Sequence, residues 1–118
     1  MEKMINCKIR KLTYDEINFL HNFLHNTNLQ NIDLSDIDVE EMNDGNMGSL
    51  YFINSILKSF RNRGKCLKQQ LYFDIDMTEV LVSIDIDLEG NLYELDIWKV
   101  NFEPLTNGFF SKALSKPI

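Results

Sequence analysis

Five carboxylates fall within one short stretch of this chain: Asp85, Asp87, Glu89, Glu94 and Asp96. Asp85, Asp87, Glu89, Gly90, Leu92 and Asp96 fit D-x-D-x-E-G-x-L-x-x-x-D, the ligand order of a calcium-binding loop. Such a loop needs a helix on each flank. Here both flanks alternate apolar and polar residues with period two, as strands do. The twelfth position is also Asp rather than Glu. Strand geometry sends all these carboxylates to one side instead of wrapping them around an ion. An ordinary hairpin is therefore expected, with no cofactor and no metal.

Other residues with chemical potential are weaker. His21 and His25 stand four apart on a predicted helix, the spacing of a two-histidine metal site. No H-E-x-x-H and no third ligand accompany them, so a solvated polar face is expected. Ser49 follows Met47-Gly48 but makes no G-x-S-x-G elbow. The chain carries no phosphate-binding glycine loop. The run Lys58 to Lys68 is basic but contains only Phe60 as an aromatic. On a chain of pI near 4.8 it does not argue for nucleic acid.

The elements that must position these residues lie between Leu71 and Val100. This stretch reads as three strands. If Met77-Thr78 and Gly90-Asn91 are two-residue turns, Ile75 faces Val80, Phe73 faces Val82 and Leu71 faces Ile84. Across the second turn Leu88 faces Tyr93, Ile86 faces Leu95 and Ile84 faces Ile97. All these pairs are apolar and share one face. A one-residue slip would set Ile86 against Glu94, so parity is constrained, while a two-residue slip would keep the faces. The other face then carries Asp87 across from Glu94, and Asp85 across from Asp96. Opposed like charges weaken a sheet by up to about 1 kcal/mol per pair. Lys68 opposite Asp87 would offset part of this. Further along this face come Tyr72, Leu81, Trp98 and Val100. Exposed, Trp98 would make a natural protein-binding anchor. The preferred expectation is that the N-terminal helix or the C-terminal tail covers it.

Upstream, Thr13 and Glu16 form a capping box, and Leu12 and Ile17 a hydrophobic staple. They predict a helix whose buried stripe includes Ile17, Leu20, Phe23 and Leu24, ended by the polar run from His25 to Asn28. A strand follows from about Asp36 to Met42, then a turn at Asp44-Gly45. A second strand runs from Leu50 to Ile56, where a helical continuation to Phe60 competes. Arg61 to Gly64 reads as a basic loop.

Length and charge bound the rest. The chain of 118 residues is one domain, with residues 1–11 and 106–118 as candidate loose ends. That length supports a core without staples. No apolar run reaches a membrane span and no signal segment is visible. Cys7 and Cys66 form no C-x-x-C, so reduced thiols and a cytoplasmic location are expected. The net charge of −6 is distributed in blocks. Thr13 to Leu57 has eight acids and no Lys or Arg, Lys58 to Lys68 has five bases, and Gln69 to Trp98 has eight more acids. Most of these blocks are expected to meet and neutralise each other. A remaining acidic surface would suit a basic partner.

The segments DGNMGSL (Asp44 to Leu50) and GNLYELDIWKVNFEPL (Gly90 to Leu105), with RKLT (Arg10 to Thr13), resemble a small bacterial domain family of unknown function. That resemblance implies no catalytic residue. The compact acidic design also resembles immunity proteins that protect bacteria from their neighbours' toxins. This second likeness implies an inhibitor whose acidic face covers a basic toxin site.

The expected fold is α+β, an N-terminal helix packed on a mainly antiparallel sheet of about five strands. The expected function is non-enzymatic binding of a protein with a basic surface. Asp85, Asp87, Glu94 and Asp96 would supply charge, and Trp98 and Tyr72 the anchors. A metal-dependent hydrolytic or calcium-binding domain using the same carboxylates, and a purely structural module, are the competing readings. Oligomeric state is not set by the sequence.

Overall fold

A computed structural model describes residues 9–53, 63–112 and 114–115. In chain order the elements are β1 (Ile9–Lys11), α1 (Tyr14–Phe23), β2 (Asp38–Glu41), β3 (Leu50–Ile53), β4 (Arg63–Phe73), β5 (Glu79–Asp87), β6 (Leu92–Lys99), α2 (Phe109–Lys112) and β7 (Leu114–Ser115). The strands form one sheet in the order β1-β2-β3-β6-β5-β4-β7, antiparallel at every pairing. The class is α+β. The sheet is wider than the five strands expected, because Ile9–Lys11 and the two-residue β7 each add an edge. Arg63 and Gly64 begin β4 rather than closing a loop. Cys7 and the strand-or-helix question beyond Ile53 lie outside the described residues.

The N-terminal helix starts where its capping chemistry places it. The Glu16 amide donates to the Thr13 hydroxyl at 3.1 Å, and the Thr13 amide donates back to the Glu16 carboxylate at 2.8 Å. Two orphan helix donors are thereby satisfied. Glu16 also accepts two bonds from the Arg10 guanidinium at 2.8 and 3.0 Å, and Arg10 reaches Glu41 at 2.7 Å. One arginine thus ties β1 to the start of α1 and to β2. Phe19, Leu20 and Phe23 of α1 join Val39, Leu50, Phe52, Tyr72, Val80, Val82, Ile84, Leu95, Ile97 and Phe109 in one buried cluster. Phe109 brings the C-terminal segment into that core, 1% exposed.

Loop length decides the strand register. Both hairpins close through three-residue loops, not two. The Asp74 amide donates to the Thr78 carbonyl and the Met77 amide to the Asp74 carbonyl, both at 2.8 Å. The Asp87 amide donates to the Asn91 carbonyl at 2.8 Å, and the Gly90 amide to the Asp87 carbonyl at 3.0 Å. In each loop the third residue is left-handed, Met77 at φ 69° and Gly90 at φ 87°. This is a type I turn followed by a left-handed residue.

An odd loop changes parity. Between β5 and β6 a bulge separates the Asp85↔Glu94 pair from Ile86↔Leu92 and restores it. Ile84 therefore faces Leu95 and Val82 faces Ile97, a two-residue slip from expectation with the faces kept. Between β4 and β5 no bulge lies next to the loop. Tyr72 faces Val80, Gln70 faces Val82 and Lys68 faces Ile84. Near its hairpin, β4 is thus turned over relative to the sequence reading. Tyr72 is buried, while Leu71 and Phe73 are only partly buried and sit on the outer face.

Candidate functional site

The two faces of the sheet differ. The inner face carries the core cluster. On the outer face β6 presents Glu94, Asp96 and Trp98 at alternate positions. Paired rows run across the strands: Leu71↔Leu81↔Trp98, Gln69↔Ser83↔Asp96 and Cys66↔Asp85↔Glu94. The Glu94 row continues to Tyr51 on β3 and Glu40 on β2. The outer face is therefore apolar and aromatic toward the end of β6 and acidic toward its start.

The expected four-carboxylate cluster is only partly a surface feature. Asp96 is exposed and Glu94 partly so, but Asp85 and Asp87 are each 6% exposed. Asp87 is a turn residue. One carboxylate oxygen accepts the Glu89 and Asn91 amides, both at 2.9 Å. Each of the four carboxylates is engaged within the fold. Lys68 does not face Asp87. It lies on the inner side, donates to the Phe23 carbonyl at 2.8 Å and sits 5.2 Å from the Phe23 ring centroid.

The two expected anchors separate. Tyr72 leaves the outer face because of the three-residue loop, and its ring lies 5.1 Å from Phe19 and 6.2 Å from Phe109. Trp98 remains outside. Among the described residues neither the N-terminal helix nor the C-terminal segment covers it, and it is 41% exposed. It meets Phe102 edge-on at 5.8 Å, and Phe102 is 71% exposed. Phe102 is brought there by a left-handed turn at φ 63° directly after β6. Val100, 39% exposed, completes the patch. Phe102 is the member that strand parity does not reveal, since it lies beyond the end of β6.

A second polar group was also missed. Lys99 sits on the inner face at the end of β6, 1% exposed, and donates to Asp74 at 2.9 Å and Asp76 at 2.7 Å. Asp74 further accepts the Thr106 amide at 2.9 Å, the Thr106 hydroxyl and the Ile75 amide at 2.7 Å. The ammonium also donates to the Pro104 carbonyl at 3.3 Å. All its donors are used, so this cluster fastens the 101–107 segment to the β4–β5 loop and leaves nothing for a ligand. A lysine at an inward parity position, two residues after Ile97, was the signal for it.

His21 and His25 are both exposed. Among the described residues no three His, Cys, Asp or Glu side chains gather as a metal-holding group. Cys66 is an exposed free thiol. Ser49 is buried, accepting the Ile97 amide at 2.9 Å and donating to the Ile97 carbonyl at 3.3 Å, so it replaces a ladder contact between β3 and β6. No described helix is long and apolar enough to cross a membrane.

These features define an α+β domain with a single antiparallel sheet, one face built into the core and the other bearing an exposed aromatic pair beside acidic residues. The chain belongs to the family described as Domain of unknown function (DUF6984), which matches residues 9–108. No curated protein and no solved structure matches it.

Proposed function

We propose that this domain is a binding protein whose contact surface is the outer face of the sheet, and that its partner is a protein with a basic surface. The observation that carries the reading is the exposed Trp98–Phe102 pair. Two large aromatics held against each other present broad, rigid contact area at little conformational cost, which suits a buried anchor. Val100 and Leu81 extend the apolar area. Asp96 and Glu103 are exposed at its margin, and the whole chain carries −6. A partner with Lys and Arg around an apolar pocket matches that arrangement in shape and sign. An immunity-like role, in which the surface covers a basic toxin site, is the specific form of this reading.

Trp98 is the only tryptophan, so its emission reports directly on the patch. The test captures partners on wild type and on a Trp98→Ala/Phe102→Ala variant, then rebinds the purified partner to wild type. The reading requires a partner lost by the variant and a blue-shifted Trp98 emission on rebinding. Equal capture by both proteins, or unchanged emission, would overturn it.

A further inference from the structure

On the opposite side of the molecule, α1, β4 and α2 enclose a cleft of about 370 Å³. Its polar lining comes from three elements. Asp15, Asn18 and Asn22 are three and four residues apart and so form one stripe along α1. Gln70 projects from β4 and Ser111 from α2. Phe19 and Phe110, with ring centroids 5.3 Å apart, supply the apolar part of the wall.

Tyr72 also lines this cleft. It is 93% buried, its ring packed among Phe19, Phe23 and Phe109. The hydroxyl is the end left to reach the cleft. Among the described residues no group hydrogen-bonds to it. A buried tyrosine whose hydroxyl has no partner among the described residues is uncommon, and that hydroxyl is free to take one from the cleft. Its acidity agrees, since burial alone raises the phenol to about 12. Around it, the side chains of Asp15, Asn18, Asn22 and Gln70 also make no hydrogen bond to described residues.

We infer that this cleft binds a small neutral molecule rich in amide or hydroxyl groups, oriented by the Tyr72 hydroxyl and the amides of Asn18, Asn22 and Gln70. Carboxamides both donate and accept, so they suit ligand groups that do the same. Among the described residues Asp15 is the only charged one in the lining and no cation faces the cleft, which disfavours an anion. The volume lies within the usual range for small-molecule sites. Two sources share this chemistry, a saccharide and a nucleoside. The inference is independent of the Trp98 surface, which lies on the other face.

The test titrates nitrogen-15-labelled protein with N-acetylglucosamine, with cytidine and with inorganic phosphate. The side-chain amide signals of Asn18, Asn22 and Gln70 are followed by NMR. Saturable shifts with either neutral probe are expected, and which probe produces them identifies the source. Tyr72→Phe should weaken that binding about threefold to tenfold, the worth of one hydrogen bond. The same variant should raise the melting temperature of the free protein, because it removes a buried unpaired hydroxyl. Asn22→Leu, on the exposed helix surface, should weaken binding without loss of fold. No saturable shift with either neutral probe would overturn the inference. So would saturable binding of phosphate, or binding that both variants leave unchanged.

Discussion

The Lys99 ammonium meets the Asp74 carboxylate at 2.9 Å with both side chains sealed from solvent, 1% and 0% exposed. A buried pair of this kind need not stabilise relative to an apolar pair of the same shape. Removing one member is another matter, because the other stays buried with its charge. Lys99→Met should therefore cost about 3–5 kcal/mol. Urea unfolding checks this through a lower midpoint at unchanged slope. A loss below about 1 kcal/mol would mean that Asp74 is satisfied by Thr106 and Ile75 alone.

The same cluster sets a pH dependence. Burial pushes the Asp74 carboxyl up, but hydrogen bonds from Thr106 and Lys99 outweigh it and hold it below the usual range. The bond from Lys99 likewise lowers Asp76. Burial lowers the Lys99 ammonium, and the bonds to Asp76 and Asp74 outweigh that and raise it. A lowered carboxyl gives stability that is present above its unfolded value of about 3.9 and lost as pH falls through the folded value. A raised lysine gives stability that is present below about 10.4 and lost as pH rises through the folded value. Melting temperature should hold level between these limits and fall on both sides. Lys99→Met should flatten both limbs, and an unchanged acid limb would remove Lys99 from its cause.

Tyr72 gives an optical prediction. The chain has four tyrosines, and burial raises Tyr72 to about 12. Alkaline titration followed by phenolate absorbance should show one tyrosine ionising near that value in the folded protein. Tyr72→Phe should abolish that late component. Its persistence in the variant would assign it elsewhere.

The two hairpin loops offer a matched pair. Met77 and Gly90 occupy the same left-handed position, and a Cβ added at Gly90 meets nothing within 4 Å. Only backbone strain then distinguishes the two residues. Gly90→Ala should destabilise by about 1–2 kcal/mol. Met77→Gly should stabilise by up to about 1 kcal/mol, the strain relieved less the entropy of glycine. Calorimetry of the two variants should give shifts of opposite sign.

Gly64 is constrained differently. A Cβ there would lie 2.6 Å from the Asp87 carbonyl oxygen and 2.9 Å from that of Ile86. These are backbone atoms that cannot rotate away. Gly64→Ala should cost about 1–3 kcal/mol by forcing β4 from β5. A melting temperature equal to wild type would show that the strands separate freely at this end.

The legible parts of the fold were those governed by local chemistry. Thr13 and Glu16 announced the start of α1, because the capping box depends on residues three apart. The outward set Glu94, Asp96 and Trp98 was legible because parity within one strand needs no partner. Tyr72 was misplaced because its face depends on loop length, and Asp74 to Thr78 carries no glycine to mark the left-handed residue. The backbone accepts Met77 there instead. Asp87 was read as surface charge because its role as acceptor for the Glu89 and Asn91 amides appears only once the loop is closed. Phe102 and the Lys99 cluster depend on a turn after β6, and alternation ends where that turn begins.

β4 has a consequence for the protein in a crowded solution. Among the described residues its outer side is paired only at Tyr72 and Phe73, by β7. Among the described residues the rest is an unpaired sheet margin, the kind of edge to which another strand can add. Its ladder with β5 is broken twice, between Arg63 and Lys65 and between Cys66 and Lys68. An incoming strand would need the same two irregularities to stay in step, and it would approach past the exposed Lys65. Interrupted spacing and positive charge together guard a margin against fibrillar growth. β4 thus buries Tyr72 at one end and at the other presents an irregular margin that a second copy of this chain would match poorly.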